Sequence, residues 1–137
     1  MKFLSAVLIL IVSAAMVKSI DLEEKKKMMM AAVASCKSST GASDDDVTKL
    51  MMHKDPGTKE GKCMINCFFE SMGMIKDGKM NKEGLLAWGK SMGDSEEIIQ
   101  KVLAECEDVS DPDVCESGMK IGFCLKQNIK KFKPDME

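Results

Sequence analysis

The side chains with the most chemistry in this sequence are six cysteines, Cys36, Cys63, Cys67, Cys106, Cys115 and Cys124, and a single histidine, His53. Thiols can bind a metal, attack a substrate or pair with one another. A zinc site needs closely spaced ligand pairs, yet no Cys-x2-Cys occurs and His53 stands ten residues from the nearest cysteine, so no metal is expected. The stretch around Asp77-Gly78 faintly resembles a calcium loop. With Gly78 at loop position 6, Gly73, Ile75 and Gly84 fall where oxygen ligands belong, so the loop cannot hold calcium. A secreted helical phospholipase would show a His-Asp dipeptide beside adjacent cysteines, and neither is present. No nucleophile–base pair is legible either, so neither an enzyme nor a cofactor is expected. Disulfides remain, and an even number of cysteines in a short chain makes them the default. Six cysteines allow fifteen pairings, and the sequence alone does not choose among them. Cys63 and Cys67 lie one helical turn apart on one face, so each reaches outward to a different element rather than to the other.

Disulfides need an oxidising compartment, and the first residues supply a route to one. Lys2 precedes an uncharged run over Phe3 to Val17, rich in Leu, Ile and Val, followed by small residues. That is the pattern of a signal peptide. The run falls short of the roughly 20 apolar residues a membrane-spanning helix requires. Residues 1–19 are therefore expected to be removed by a cut between Ala15 and Ile20, for which Val17-Lys18-Ser19 is one candidate site, leaving residues 20–137 as one extracellular domain. Removing nineteen of the 137 residues leaves 118, enough for one domain and too few for two.

The elements that must position the cysteines read as about six helices, with no strand alternation. Asp21 and Glu24 form a capping box before a helix from Leu22 to about Ser38, closed by Gly41. Ser43 caps a short helix through Met52, and Asp55-Pro56-Gly57 is a turn. Thr58 caps a third helix to about Met72, and the chain turns at Ile75-Lys76-Asp77-Gly78-Lys79. Asn81 caps a fourth helix ending near Gly93, and Asp94 or Ser95 a fifth that carries Ile98, Ile99, Val102, Leu103 and Cys106. Pro112 at a first helical position starts a sixth, which runs to about Lys131.

All twenty basic residues are Lys; the eighteen left after residue 19 face 22 acids, for a formal charge of about −4. Lacking Arg forks and a basic face, the chain is not expected to bind nucleic acid. A helical toxin or membrane-active peptide would be cationic and strongly amphipathic, unlike this mildly acidic chain. Twelve of the fourteen Met follow residue 19, alongside four Phe, one Trp and no Tyr. Flexible thioether side chains suit either a loosely packed core or a surface that accepts ligands of several shapes. Gly118 and Gly122 share a face of the sixth helix and flank Met119, which points equally to room left for a guest and to close helix packing. Three crosslinks, each worth about 2–4 kcal/mol, offset the contacts that a cavity forfeits.

The spacing Cys36-x26-Cys63-x3-Cys67-x38-Cys106-x8-Cys115-x8-Cys124 resembles that of the insect odorant-binding proteins, the pheromone-binding and general odorant-binding family, over essentially the whole mature chain. The resemblance implies an all-α fold of six helices, disulfide-braced around an apolar ligand cavity. It implies the pairs Cys36–Cys67, Cys63–Cys115 and Cys106–Cys124. It also implies a secreted carrier that takes odorants, pheromones or similar small hydrophobic ligands through sensillum lymph or another secretion. Saliva, reproductive fluid and venom stay open as the setting, as do a monomer and a homodimer, and transient contact with a membrane or an odorant receptor is a secondary expectation. Helix phase counted from the inward-facing cysteines places in the pocket wall Met29 and Val33, then Ile65, Phe68 and Met72, then Met74 and Met80 from the turn. Leu85, Leu86, Trp88, Met119 and Phe123 follow, with Phe132 from the tail as a lid. Ordinary core packing is the equal alternative for each. Only thirteen residues follow Cys124, too few for the inserted C-terminal helix of long-tailed relatives, and His53 reads as a solvated loop residue rather than a pH trigger.

Overall fold

The computed structural model describes residues 23–134, so the predicted signal peptide and the Asp21 cap lie outside the described residues. The chain divides into two units, Met1–Ala31 and Ala32–Glu137. Helical backbone covers 23–40 (α1); of this, residues 23–31 belong to the first unit, with Lys25 and Met29 half-buried. The second unit holds the rest of α1, then α2 (Asp44–Met51), α3 (Lys59–Ser71), β1 (Ile75–Lys76), β2 (Lys79–Met80), α4 (Lys82–Ser91), α5 (Glu96–Cys106) and α6 (Val114–Phe132). The fold is all-α in class, with six helices and one hairpin of two-residue strands among the described residues. That hairpin arises because Asp77 and Gly78 both take positive φ, 53° and 71°, the backbone an Asp-Gly turn supplies, and pair Ile75 with Met80.

Polar caps start each helix of the second unit where short-range chemistry favours it. Ser43 and Asp46 form a reciprocal capping box: the Asp46 N–H donates to Ser43 Oγ at 3.1 Å, and the Ser43 N–H donates to Asp46 Oδ2 at 2.9 Å. Asp46 is only 2 % exposed, and its other oxygen accepts from Thr58 Oγ1 at 2.7 Å. Thr58 in turn caps α3 by accepting from the Gly61 N–H, so one buried carboxylate joins two helix starts. These donors, the Ser43 N–H first, hold the Asp46 carboxyl below its ordinary range. Asn81 caps α4 while its amide donates to the Gly73 carbonyl, and Ser95, not Asp94, caps α5. The start of α6 departs from expectation: Asp113 is the cap, accepting from the Cys115 and Glu116 N–H groups, and Pro112 lies before it rather than at the first helical position. A carboxylate accepting two otherwise unpaired N–H groups is the stronger start signal.

Disulfides join Cys36 to Cys67, Cys63 to Cys115 and Cys106 to Cys124, the pairing that the resemblance implies, with Cα–Cα distances of 5.6, 4.4 and 5.8 Å. Cys63 and Cys67 leave α3 toward α6 and α1 respectively, as two residues sharing one helix face must when they cannot reach each other.

Around these links the interior forms two apolar clusters. The larger buries Met74, Ile75, Leu85, Ile99, Val102, Leu103, Cys106, Ile121 and Leu125. The smaller holds Cys36, Ala42 and Met64, with Val47, Leu50 and Cys67 against them. The paired glycines of α6 are explained by close packing and not by spare room. A Cβ on Gly118 would stand 2.7 Å from Asn66 Cα, and one on Gly122 would stand 2.3 Å from the Phe69 ring.

Candidate ligand-binding site

The thirteen residues placed in a pocket wall by helix phase are, in the structure, all buried or half-buried. Val33 lies on α1 in the second unit, Ile65 and Phe68 on α3, Leu85, Leu86 and Trp88 on α4, and Met119, Phe123 and Phe132 on α6. Met72 caps the end of α3, Met74 precedes β1, and Met80 is the last residue of β2. Met29 belongs to the first unit, where it is half-buried.

The twelve in the second unit sort into two groups. Met74 and Leu85 are members of the larger cluster, and Met72, Met80, Leu86, Trp88 and Phe132 pack on its surface. Val33, Ile65, Phe68, Met119 and Phe123 lie outside both clusters, although Val33, Ile65 and Met119 are buried. An apolar side chain that is shielded from water yet not locked into a packed cluster is the kind that can face a guest.

The two groups are positioned differently. On α3, Cys63 and Asn66 face α6, so Ile65 and Phe68, about 100° and more around the helix, are turned to another side. The α4 residues are set by the Asn81 cap, which fixes where the first turn begins, and by Gly84, whose missing side chain lets the Gly73 carbonyl lie against that turn. Phe132 stands at the end of α6; the next residue, Lys133, makes an ion pair with Asp94 in the connection between α4 and α5. That pair ties the tail to the α4–α5 side and holds Phe132 on the larger cluster.

The predicted wall left out Phe69, Ile121 and Leu125, and with them Ile99, Val102 and Leu103, which were read only as apolar residues of the fifth helix; these form most of the larger cluster or pack on it. A signal for Ile121 and Leu125 was present: with Gly118 they recur at three- and four-residue steps, a different stripe of α6 from the one through Met119 and Phe123.

Three polar features stand beside this wall, one of them sharing Met80 with it. Asn66 is buried between α3 and α6; its amide donates to Glu70 at 3.1 Å, and its carbonyl oxygen lies over Gly118 without a hydrogen-bond partner. An open depression of about 650 Å³ beside the hairpin is lined by Lys76, Asp77, Lys79, Met80, Asn81, Lys82 and Glu83, a charged surface unsuited to an apolar guest. His53 ends α2 in a left-handed conformation, φ 56°, and partial desolvation of its ring, then the Lys126 cation, holds the imidazole below its usual range. Among the described residues no group of three or more His, Cys, Asp or Glu side chains is placed to hold a metal ion.

Known proteins share this arrangement. General odorant-binding protein 56a of Drosophila melanogaster is 32 % identical over 81 residues, 58 % of this chain and 54 % of its own length, so the chain spans about half of that relative. The solved structure of the fatty acid binding protein OBP56a from the oral disk of the blowfly Phormia regina matches with a TM-score of 0.68 at 28 % identity, covering 80 % of this chain and 95 % of that one. The odorant-binding protein OBP28a of Drosophila melanogaster shares the fold, with a TM-score of 0.67 at 24 % identity over 80 % of this chain and 95 % of that one. The PBP/GOBP family pattern matches residues 18–128. A disulfide-linked helical frame, an apolar wall free of charge and a match over most of its length place this chain in the PBP/GOBP family of odorant-binding proteins.

Proposed function

We propose that residues 20–137, released by removal of a signal peptide at 1–19, carry a small hydrophobic ligand through aqueous extracellular fluid. The observation that carries this reading is a set of apolar side chains outside both clusters of the second unit: Val33, Ile65 and Met119, which are buried, and Phe68 and Phe123, which are half-buried. They line the ligand chamber, Met72, Met74, Met80, Leu85, Leu86 and Trp88 form its adaptable side, and Phe132 acts as a lid held by Lys133 and Asp94. Family membership supports binding of small hydrophobic molecules, and among the described residues no helix is long and apolar enough to cross a membrane. No reaction is assigned to the site, because its wall offers no nucleophile, acid or base.

Burying about ten methylenes at ~0.8 kcal/mol each, less several kcal/mol for immobilising the ligand, gives micromolar affinity. Selectivity is modest, since one methylene discriminates by about 1 kcal/mol. The test is displacement of a fluorescent apolar probe from the disulfide-bonded protein by alcohols, aldehydes, esters and long-chain fatty acids, the last because the blowfly relative is a fatty acid binding protein. Competition at micromolar concentration is expected. Failure of every apolar compound below about 100 μM rejects the carrier reading.

A further inference from the structure

Methionine is divided unevenly between the inside and the outside of this protein. Among the described residues six large hydrophobic side chains are exposed, and five of them are Met: Met28, Met30, Met51, Met52 and Met92, at 46–58 % exposure. Of the sixteen buried hydrophobic residues only three are Met: Met64, Met74 and Met119. A requirement for exposed apolar area does not single out Met, because Leu has nearly the same volume and replaces it readily. What separates the two is the sulfur, which accepts an oxygen atom and, as a sulfoxide, can be reduced again.

The exposed positions are ones where that change leaves the fold alone. Met51 is the last residue of α2, Met52 its cap, and Met92 the cap of α4. They contribute to the helix ends through the backbone: the Met52 N–H donates to the Thr48 carbonyl at 2.9 Å and the Met92 N–H to the Trp88 carbonyl at 3.0 Å. Of the three in the second unit, Met51, Met52 and Met92, none belongs to either apolar cluster or packs against one. Oxidation of Met64, with no exposed surface, would instead set a polar S=O group in an apolar interior without a partner. The usual first target of an oxidant is also withdrawn, because all six cysteines are committed to disulfides.

We propose that Met28, Met30, Met51, Met52 and Met92 form a sacrificial sulfoxidation shell, which takes oxygen from peroxides in the surrounding fluid while Met64, Met74 and Met119 remain thioethers. In each step a sulfur lone pair attacks one peroxide oxygen, the O–O bond breaks and an S–O bond forms. The sulfur is oxidised by two electrons and the peroxide is reduced; with hydrogen peroxide the other oxygen leaves as hydroxide and takes a proton to become water.

The experiment is titration of the disulfide-bonded protein with hydrogen peroxide, followed by peptide mass mapping of every methionine and by circular dichroism. The five exposed residues are expected to oxidise at least about tenfold faster than Met64, Met74 and Met119, with helical signal and thermal midpoint unchanged when the five are fully converted. Comparable rates at Met64 and Met92, or loss of helix while only the five carry oxygen, overturn the proposal. The triple variant Met51→Leu, Met52→Leu, Met92→Leu is expected to retain the fold and to cut the rapidly oxidised sites among these five to two. Rapid oxidation of a buried Met in their place rejects the two-tier arrangement. Because no ligand enters these measurements, their outcome is independent of the displacement assay.

Discussion

Helices α3 and α6 come close enough at Gly118 to bring a backbone atom into contact, whereas α4 and α5 meet at Gly89 through a side chain alone. In the first pair a Cβ on Gly118 would collide with Asn66 down to its Cα, and Cys63–Cys115 crosslinks the same faces. In the second pair a Cβ on Gly89 would meet side-chain carbons of Ile99 and no backbone atom, Cδ1 and Cγ1 at 2.7 Å and Cγ2 at 3.8 Å. A backbone contact cannot yield without moving a helix, while a side-chain contact yields by a change of rotamer. The difference teaches where the molecule is stiff and where it can adapt. A fixed α3–α6 spine sets the frame, and the α4–α5 side, where Met72, Met80, Leu86 and Trp88 pack against the larger cluster and Lys133 pairs with Asp94, is the side that the proposed function makes adaptable.

The comparison can be broken most forcefully at the crosslinks. Cys63 and Cys115 are 52 residues apart and Cys106 and Cys124 only 18, so chain entropy assigns the spine bridge about 4 kcal/mol and the other about 3. The double variant Cys63→Ser, Cys115→Ser should therefore show the lower urea midpoint of the two double variants; equal midpoints would deny the spine its special place. Next come the glycines. Gly118→Ala should cost about 2 kcal/mol in spite of its gain in helix propensity, and Gly89→Ala should fall within about 1 kcal/mol of the parent.

A third variant probes the foot of the spine. Asp46→Ala removes a helix cap and the tie to Thr58, for a loss of about 1–2 kcal/mol at neutral pH. The folded carboxyl titrates below its ordinary value of 3.8, so its contribution is present above that value and fades as pH falls below it. Parent and variant should accordingly converge in acid denaturation curves. The smallest effect belongs to His53. Its imidazole is held below the ordinary value of 6.5, so protonation favours the unfolded chain, and stability declines as pH drops through 6.5. His53→Asn, which tolerates the same left-handed backbone, should flatten that slope by a few tenths of a kcal/mol, read from thermal midpoints across this range.

Much of the frame was legible because its signals are local. Ser43, Thr58, Asn81 and Ser95 sit at caps that their own side chains make, and Asp77-Gly78 marks a turn by its backbone preference alone. The disulfide pairing was legible only by resemblance, since it depends on which helices meet. Asp113 displaced Pro112 as the start of α6 because two N–H groups converge on one carboxylate, a three-dimensional fact. The two readings of Gly118 could not be separated in sequence, as nothing local shows that Asn66 lies opposite. Similarly, helix phase found shielded apolar residues but could not tell Leu85, in a packed cluster, from Met119, outside one.

The three bridges also overlap along the chain: 36–67 encloses Cys63, and 63–115 encloses Cys106, whose own bridge runs to Cys124. Any single peptide bond cut between Cys36 and Cys124 is thus spanned by at least one covalent bypass. A protease that nicks an exposed loop once leaves two fragments that stay joined until a reductant arrives, which gives the fold a durability that its apolar core alone would not provide.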